Sequence, residues 1–290
     1  MNSLLPWLKK SQMLLAPSLP QCLICGQRGR PSDDLPGVCS SCQAGIPWIH
    51  SPRCLTCGRH VGCPDCSRSR GPVPIQCNRS AVAYTSGMRD LLGQYKYRGN
   101  ERLAPILGLM LDRVYSVLEK ERNEALISGP AGMGAQGKSF SAIKSSARPR
   151  LWQADLLVPV PVSAVRLAER GFNQAERLAG VLSVRRGIPQ IPLLIRTQHT
   201  GKQSFKSRSE RLADMKHVFA GNTEPEILSG LVEHLKSIAA RLQTRPLQII
   251  IVDDIYTTGS TIRACAEALH RLSGSMGCTA EVYSLTWARS

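Results

Sequence analysis

The stretch Gln248–Thr261, QIIIVDDIYTTGST, constrains the fold of this chain more than any other. Ile249, Ile250, Ile251 and Val252 form a β-branched apolar run, which predicts a strand buried on both faces of a parallel sheet. Asp253 and Asp254 follow at once, then Thr257, Thr258, Gly259, Ser260 and Thr261, then helical spacing through Arg271. Strand, acidic pair, hydroxyl-rich turn and helix together are how an open α/β sheet places a ligand at the carboxyl end of a strand. The unpaired N–H groups of a helix N-terminus suit a phosphate, Gly259 permits close backbone approach, and the hydroxyls add donors. Two adjacent acids would repel that phosphate. They are expected instead to accept hydrogen bonds from neutral hydroxyls, such as the 2′ and 3′ positions of a ribose. A phosphorylated pentose fits both halves; the plainer alternative is a buried strand that ends in an acidic loop with a Ser/Thr helix cap.

The stretch closely resembles the phosphoribosyl pyrophosphate (PRPP) motif of type I phosphoribosyltransferases. That resemblance gives Asp253 and Asp254 the ribose diol, as the catalytic pair. It gives Thr257, Thr258, Gly259, Ser260 and Thr261 the 5′-phosphate.

Eight of the eleven cysteines fall in four C-x-x-C pairs: Cys22/Cys25, Cys39/Cys42, Cys54/Cys57 and Cys63/Cys66. Each pair can present two thiolates to one metal, and two pairs complete a tetrahedral site. Gly26 and Gly58 directly follow two of the pairs, as tight metal-binding knuckles require. The spacing argues for structural zinc, one or two ions, over disulfides or a thioredoxin-like redox site. Sequential pairing, interleaved pairing and a single zinc with free thiols all satisfy it. Such a module serves as scaffold or contacts nucleic acid. Cys77, Cys265 and Cys278 read as small apolar residues.

The net charge of +16 and pI of about 9.7 favour anionic partners, or a basic solvated surface. No apolar run approaches the ~20 residues that span a bilayer. Residues 1–21 are broken by Pro6, Lys9, Lys10, Pro17 and Pro20. They read as a short helical segment on the body rather than a signal peptide, which makes cytoplasm the default location. The expected organisation is this segment, a double zinc-ribbon-like module over 22–76, and an α/β domain over 77–290.

Within that domain, Ser80–Tyr84 is a predicted strand, followed by two helices broken near Gly99. Between the helices lies Tyr95-Lys96-Tyr97-Arg98, either a basic helix end or a patch that stacks on bases. Asn123–Arg150, rich in Gly, Ser, Ala and Lys, reads as a flexible insertion. Its Gly132–Ser139 matches G-x-x-x-x-G-K-[ST], but it lacks the preceding strand that a phosphate loop needs, so an ATPase is the lesser alternative. Asp155–Pro161 predicts a strand. The Arg166 and Arg170 that follow suit a pyrophosphate, or a charged helix face. After a strand at Ile191–Arg196, the basic Thr197–Arg211 is expected to be a mobile loop. It could cover a polyanion with Lys202, Lys206 and Arg208 or touch a nucleic-acid backbone.

Taken in order, the cysteine knuckles, YKYRG, VPVPVSAVRLAERGFNQA, RTQHTGKQSFKSRSER and VDDIYTTGST resemble the ComF family, in which a zinc finger is fused to a type I phosphoribosyltransferase domain. Asn123–Arg150 and Thr223–Arg245 are longer than the family pattern. The resemblance implies an α/β fold with a parallel sheet flanked by helices and a small zinc-ribbon module. It implies PRPP bound with Mg2+. For some members it implies natural competence, with handling of single-stranded DNA alongside DNA-uptake proteins. On that basis the chain is expected to be either a phosphoribosyltransferase or a DNA-binding protein with a residual or regulatory PRPP site.

Overall fold

A computed structural model describes residues 19–63, 66, 73–128, 151–197 and 218–290. Most of the 1–21 segment, the Gly132–Ser139 pattern, Lys202, Lys206 and Arg208 lie outside the described residues. The chain divides into two compact units, 1–46 and 47–290, with the boundary between the second and third C-x-x-C pairs. In the first unit, Leu35 and Val38 are buried beside a short helix α1 (Ser40–Ala44), whose N-cap is Cys39.

The second unit is an α/β structure built on a four-stranded parallel sheet. In chain order it contains β1 (Asn78–Ala83), α2 (Ser86–Tyr97), α3 (Ala104–Ser128), β2 (Leu156–Pro159), α4 (Ala164–Arg170) and α5 (Gln174–Arg186). There follow β3 (Leu194–Arg196), β4 (Phe219–Gly221), α6 (Pro225–Ser237), α7 (Ala239–Leu242), β5 (Leu247–Tyr256), α8 (Ser260–Ser275) and β6 (Ala280–Arg289). The strand order is β1-β6-β5-β2, and β3 and β4 form a separate antiparallel pair.

The isoleucine run lies in the sheet interior, between β6 and β2. Alternation along β5 places Ile249 and Ile251 in one core with Ile262, Cys265 and Leu269 of α8, while Ile250 and Val252 point to the other face. Full burial of each such side chain contributes about 1.5–3 kcal/mol relative to exposure. The helices α3 and α5 pack against each other and the sheet, and α8 packs against β5, β6 and the β3/β4 pair.

Two features differ from the sequence reading. The central strand does not stop at Val252, because β6 continues to pair with it as far as Tyr256 opposite Arg289, so both acids belong to the strand. The helix α3 runs on through Ser128, into the stretch read as insertion. On the far side of that stretch, Trp152 N donates to Asn123 Oδ1, and Trp152 Nε1 donates to Gln248 Oε1 at 2.6 Å, so its two ends are held together. The extra length at Thr223–Arg245, whose apolar spacing over Glu224–Leu242 reads as an amphipathic helix, is largely α6 and α7, in agreement with that reading. Among the described residues, no helix is long and apolar enough to cross a membrane.

Candidate functional site

Because successive strand residues face opposite ways, the acidic pair straddles the sheet. Asp253 follows Ile251 onto the α8 side and Asp254 follows Val252 onto the other. There Lys96 Nζ of α2 meets Asp254 Oδ2 at 2.7 Å. Asp253 Oδ1 accepts from the Asp254 backbone N–H at 2.8 Å. Burial, reinforced by the adjacent Asp254 charge, pushes the Asp253 carboxyl up to about 7, against the pull of Lys96 and Arg170. Behind it, burial raises the Cys265 thiol far above its ordinary range.

The strand ends in the turn Thr257–Gly259. Gly259 has φ +79°, and an added Cβ would run into the Tyr256 ring, 2.8 Å from its Cε1. Only glycine fits there. Thr257 is exposed and Thr258 half-buried, with Thr258 Oγ1 3.1 Å from Ser260 Oγ. Gly259 makes no side-chain cap to α8, and the first turn of that helix carries no acid. Its N–H groups and dipole are therefore available to an anion. Thr261 is half-buried in the same turn.

Arg166 and Arg170 part company. Arg166 pairs with Glu169 at 3.2 Å on the surface of α4. Arg170 turns inward: its guanidinium lies 5.2 Å from the Tyr97 ring centroid, and Nη1 donates to Gln174 Oε1 at 2.8 Å. Arg170 Nε is buried and has no hydrogen-bond acceptor among the described residues. Tyr95 Oη donates to Gln174 O at 3.0 Å, which ties α2 to the start of α5. The Tyr95–Arg98 segment thus has divided duties. Tyr95 is core, Lys96 serves the acidic pair, and Tyr97 and Arg98 are exposed beside a cavity of about 430 Å³ also lined by Tyr84, Arg89 and Leu92.

The cysteines form two sequential tetrads, Cys22/Cys25/Cys39/Cys42 and Cys54/Cys57/Cys63/Cys66, with the ligand atoms of each set within 4.8 Å of one another. Thiolates at about 2.3 Å from a tetrahedral zinc stand roughly 3.8 Å apart, so both sets could hold a zinc ion. In the first, Cys22 Sγ accepts from the backbone N–H of Ile24 at 3.4 Å and of Cys39 at 3.3 Å. Burial raises its thiol, but such backbone donors outweigh this and bring it down to about 6. The second tetrad is built into the sheet domain. Cys57 is in its core, and Cys54, Cys63 and Cys66 pack against that core. Asn78 Nδ2 of β1 donates to Cys57 O at 3.1 Å. Gly58, at φ +71°, lies so close to β1 that a Cβ would sit 2.6 Å from Asn78 O.

Two contributors escaped the sequence reading. Lys96 reads as part of a basic helix end or of a base-stacking patch, and nothing local to it signals the contact with Asp254. Arg289 ends a strand next to the one bearing the acids, and a cation at that carboxyl end is the signal that could have found it.

Among curated proteins, the chain is similar to competence protein ComFC of Bacillus subtilis, with 30% identity over 261 residues covering 87% of this chain and 84% of that protein. It is 25% identical to competence protein ComFC of Streptococcus pneumoniae, over 86% of this chain and 93% of that one. It is also 25% identical to DNA utilization protein YhgH of Escherichia coli, over 81% and 85% respectively. No family model matches the chain.

Proposed function

The chain belongs to the ComF family, and we propose that it is a PRPP-binding, phosphoribosyltransferase-like protein that works in the handling of single-stranded DNA. One observation carries the ligand. Two carboxylates at the carboxyl end of β5 are followed immediately by an uncapped helix N-terminus with a left-handed glycine. The acids suit the ribose diol and the Thr257–Thr261 turn suits the 5′-phosphate. Arg170, with its orphaned buried Nε, is the better placed of the two arginines for the pyrophosphate; Arg166 and Lys202 remain weaker assignments. Arg170 would face the pyrophosphate, for which Mg2+ bound with PRPP would supply further neutralising charge. The competence and DNA-utilization names of the relatives supply the setting.

In phosphoribosyl transfer, C1 of the ribose loses pyrophosphate and gains a nitrogen nucleophile. Positive charge develops at C1 on the way, and carboxylates fixed on the diol stabilise it without reorganising.

A non-catalytic DNA binder is the second reading. It is favoured by the +16 charge and by exposed Tyr97 and Arg98, a stacking ring beside a phosphate-pairing cation. Pyrophosphate release is measured with PRPP, Mg2+ and candidate bases, while labelled single-stranded DNA is titrated at two salt concentrations. Pyrophosphate release without DNA binding leaves only the enzyme. Salt-sensitive DNA binding that is indifferent to Asp253→Asn, without turnover, leaves only the binder.

A further inference from the structure

Arg289 is 3% exposed and stands opposite Tyr256 in the β5–β6 register. Its Nε donates to Cys57 O at 3.0 Å and its Nη2 to Cys57 Sγ at 3.2 Å. On its other side, Nη1 donates to Tyr256 O at 3.1 Å, to Thr257 O at 2.9 Å, and to Ser290 O. The guanidinium lies 4.7 Å from the Tyr256 ring centroid, and that ring is what packs under Gly259. One side chain therefore touches both a cysteine of the second tetrad and the first carbonyls of the phosphate-side turn.

A buried guanidinium stays charged and requires an anionic partner. Among the described residues, no Asp or Glu pairs with Arg289. Nη1 is already met by the oxygen of the last residue, Ser290; on the other edge of the fork the group within reach is the sulfur of Cys57. Zinc held by four thiolates leaves a net negative charge spread over the sulfurs, so the loaded cluster supplies a counter-charge on that edge. The planar fork matters as well as the charge, since one edge addresses Cys57 and the other addresses the turn. A lysine keeps the charge but cannot span both.

We infer that Arg289 is a positioning residue that anchors the Tyr256–Thr257 carbonyls to the metal-loaded Cys54–Cys66 cluster, so that zinc in this cluster and PRPP in the adjoining turn strengthen each other's binding. The inference rests on the PRPP reading of that turn. The Cys22–Cys42 cluster lies in the other unit and has no part in it.

The test uses the zinc-loaded full chain. PRPP with Mg2+ is titrated calorimetrically into wild type, Arg289→Lys and Asp253→Asn. Zinc content and the rate of zinc release to a chromogenic chelator are measured with and without PRPP, in a Cys25→Ser background where the second cluster dominates the signal. Arg289→Lys is expected to keep its zinc but bind PRPP about tenfold more weakly. PRPP is expected to slow zinc release severalfold in the Cys25→Ser protein and to lose that effect when Arg289→Lys is added. If Asp253→Asn weakens PRPP binding and Arg289→Lys does not, the coupling is overturned and the site reading stands. If Arg289→Lys fails to fold, the release rate still decides: PRPP that binds yet leaves zinc release unchanged overturns the coupling. A wild type that takes no PRPP overturns the site reading and the coupling together.

Discussion

Lys96 Nζ of α2 lies 2.7 Å from Asp254 Oδ2 of β5, and the two side chains are only 14% and 10% exposed. A helix that reads as a basic surface element thus delivers its cation to the acidic pair. Truncating one partner of such a pair strands a buried charge, at a cost of about 3 kcal/mol. Lys96→Met is expected to lower the denaturation midpoint accordingly. Lys96→Met with Asp254→Asn should recover part of the loss, because no charge is left stranded. A double-mutant cycle in denaturant checks both.

Burial holds the Asp253 carboxyl in a pH range that would matter for the proposed binding. Burial, then the Asp254 charge, raises its carboxyl from an ordinary 3.8 to about 7. A raised carboxyl keeps its proton in the fold after the unfolded chain has lost its own. Stability from this group is therefore full below about pH 4 and declines as pH rises towards 7. Asp253→Asn is expected to raise the melting temperature by a few degrees at pH 8 and by nothing near pH 4. The proposed PRPP binding should have the opposite dependence, since the diol needs an ionised acceptor. Affinity should drop as pH falls below about 7 in wild type and stay weak and flat in Asp253→Asn. Thermal melts and titrations at pH 6 and pH 8 provide the check.

Gly259→Ala introduces a Cβ against the Tyr256 ring at φ +79°. The left-handed backbone alone costs about 1–2 kcal/mol for an alanine. The turn should shift as the ring moves. PRPP affinity is expected to fall at least tenfold, with about 2 kcal/mol lost in denaturant unfolding. Gly230, inside α6, where an added Cβ meets nothing within 4 Å, supplies the control: Gly230→Ala should leave PRPP affinity unchanged and raise stability by about 0.5–1 kcal/mol.

At the opposite end of β5, Asp155 is a structural residue. It accepts from Arg245 Nη1 at 2.6 Å and Nη2 at 2.8 Å, and from Gln248 N at 2.9 Å, with its side chain fully buried. Asp155→Ala is expected to cost about 3–5 kcal/mol. At a temperature where the variant is still folded, PRPP affinity should be that of wild type. Denaturant melts and calorimetry separate the two effects.

The sheet and its acids were legible in the sequence because a β-branched run flanked by turn chemistry has few other solutions. The sequential tetrads were among the pairings the C-x-x-C spacing allowed, and only the packed sulfurs distinguish them. The end of β5 was misread because two consecutive Asp weaken a strand signal that the pairing with β6 overrides. The contacts of Lys96 and Arg289 were not legible in the sequence for a related reason. Each acts across a contact distant in sequence, on Asp254 and on Cys57 with Tyr256, and local periodicity carries no record of such contacts. The separation of Arg166 from Arg170 also escaped, because spacing alone could not show that Arg170 would turn in over Tyr97.

Calorimetric titration of PRPP with Mg2+ into zinc-loaded wild type and into Asp253→Asn/Asp254→Asn at pH 8 tests the central claim most directly. Saturable heat in wild type that weakens at least tenfold in the double variant is the expected result. No heat in wild type, or equal affinity in both proteins, would contradict a sugar-phosphate site at the end of β5.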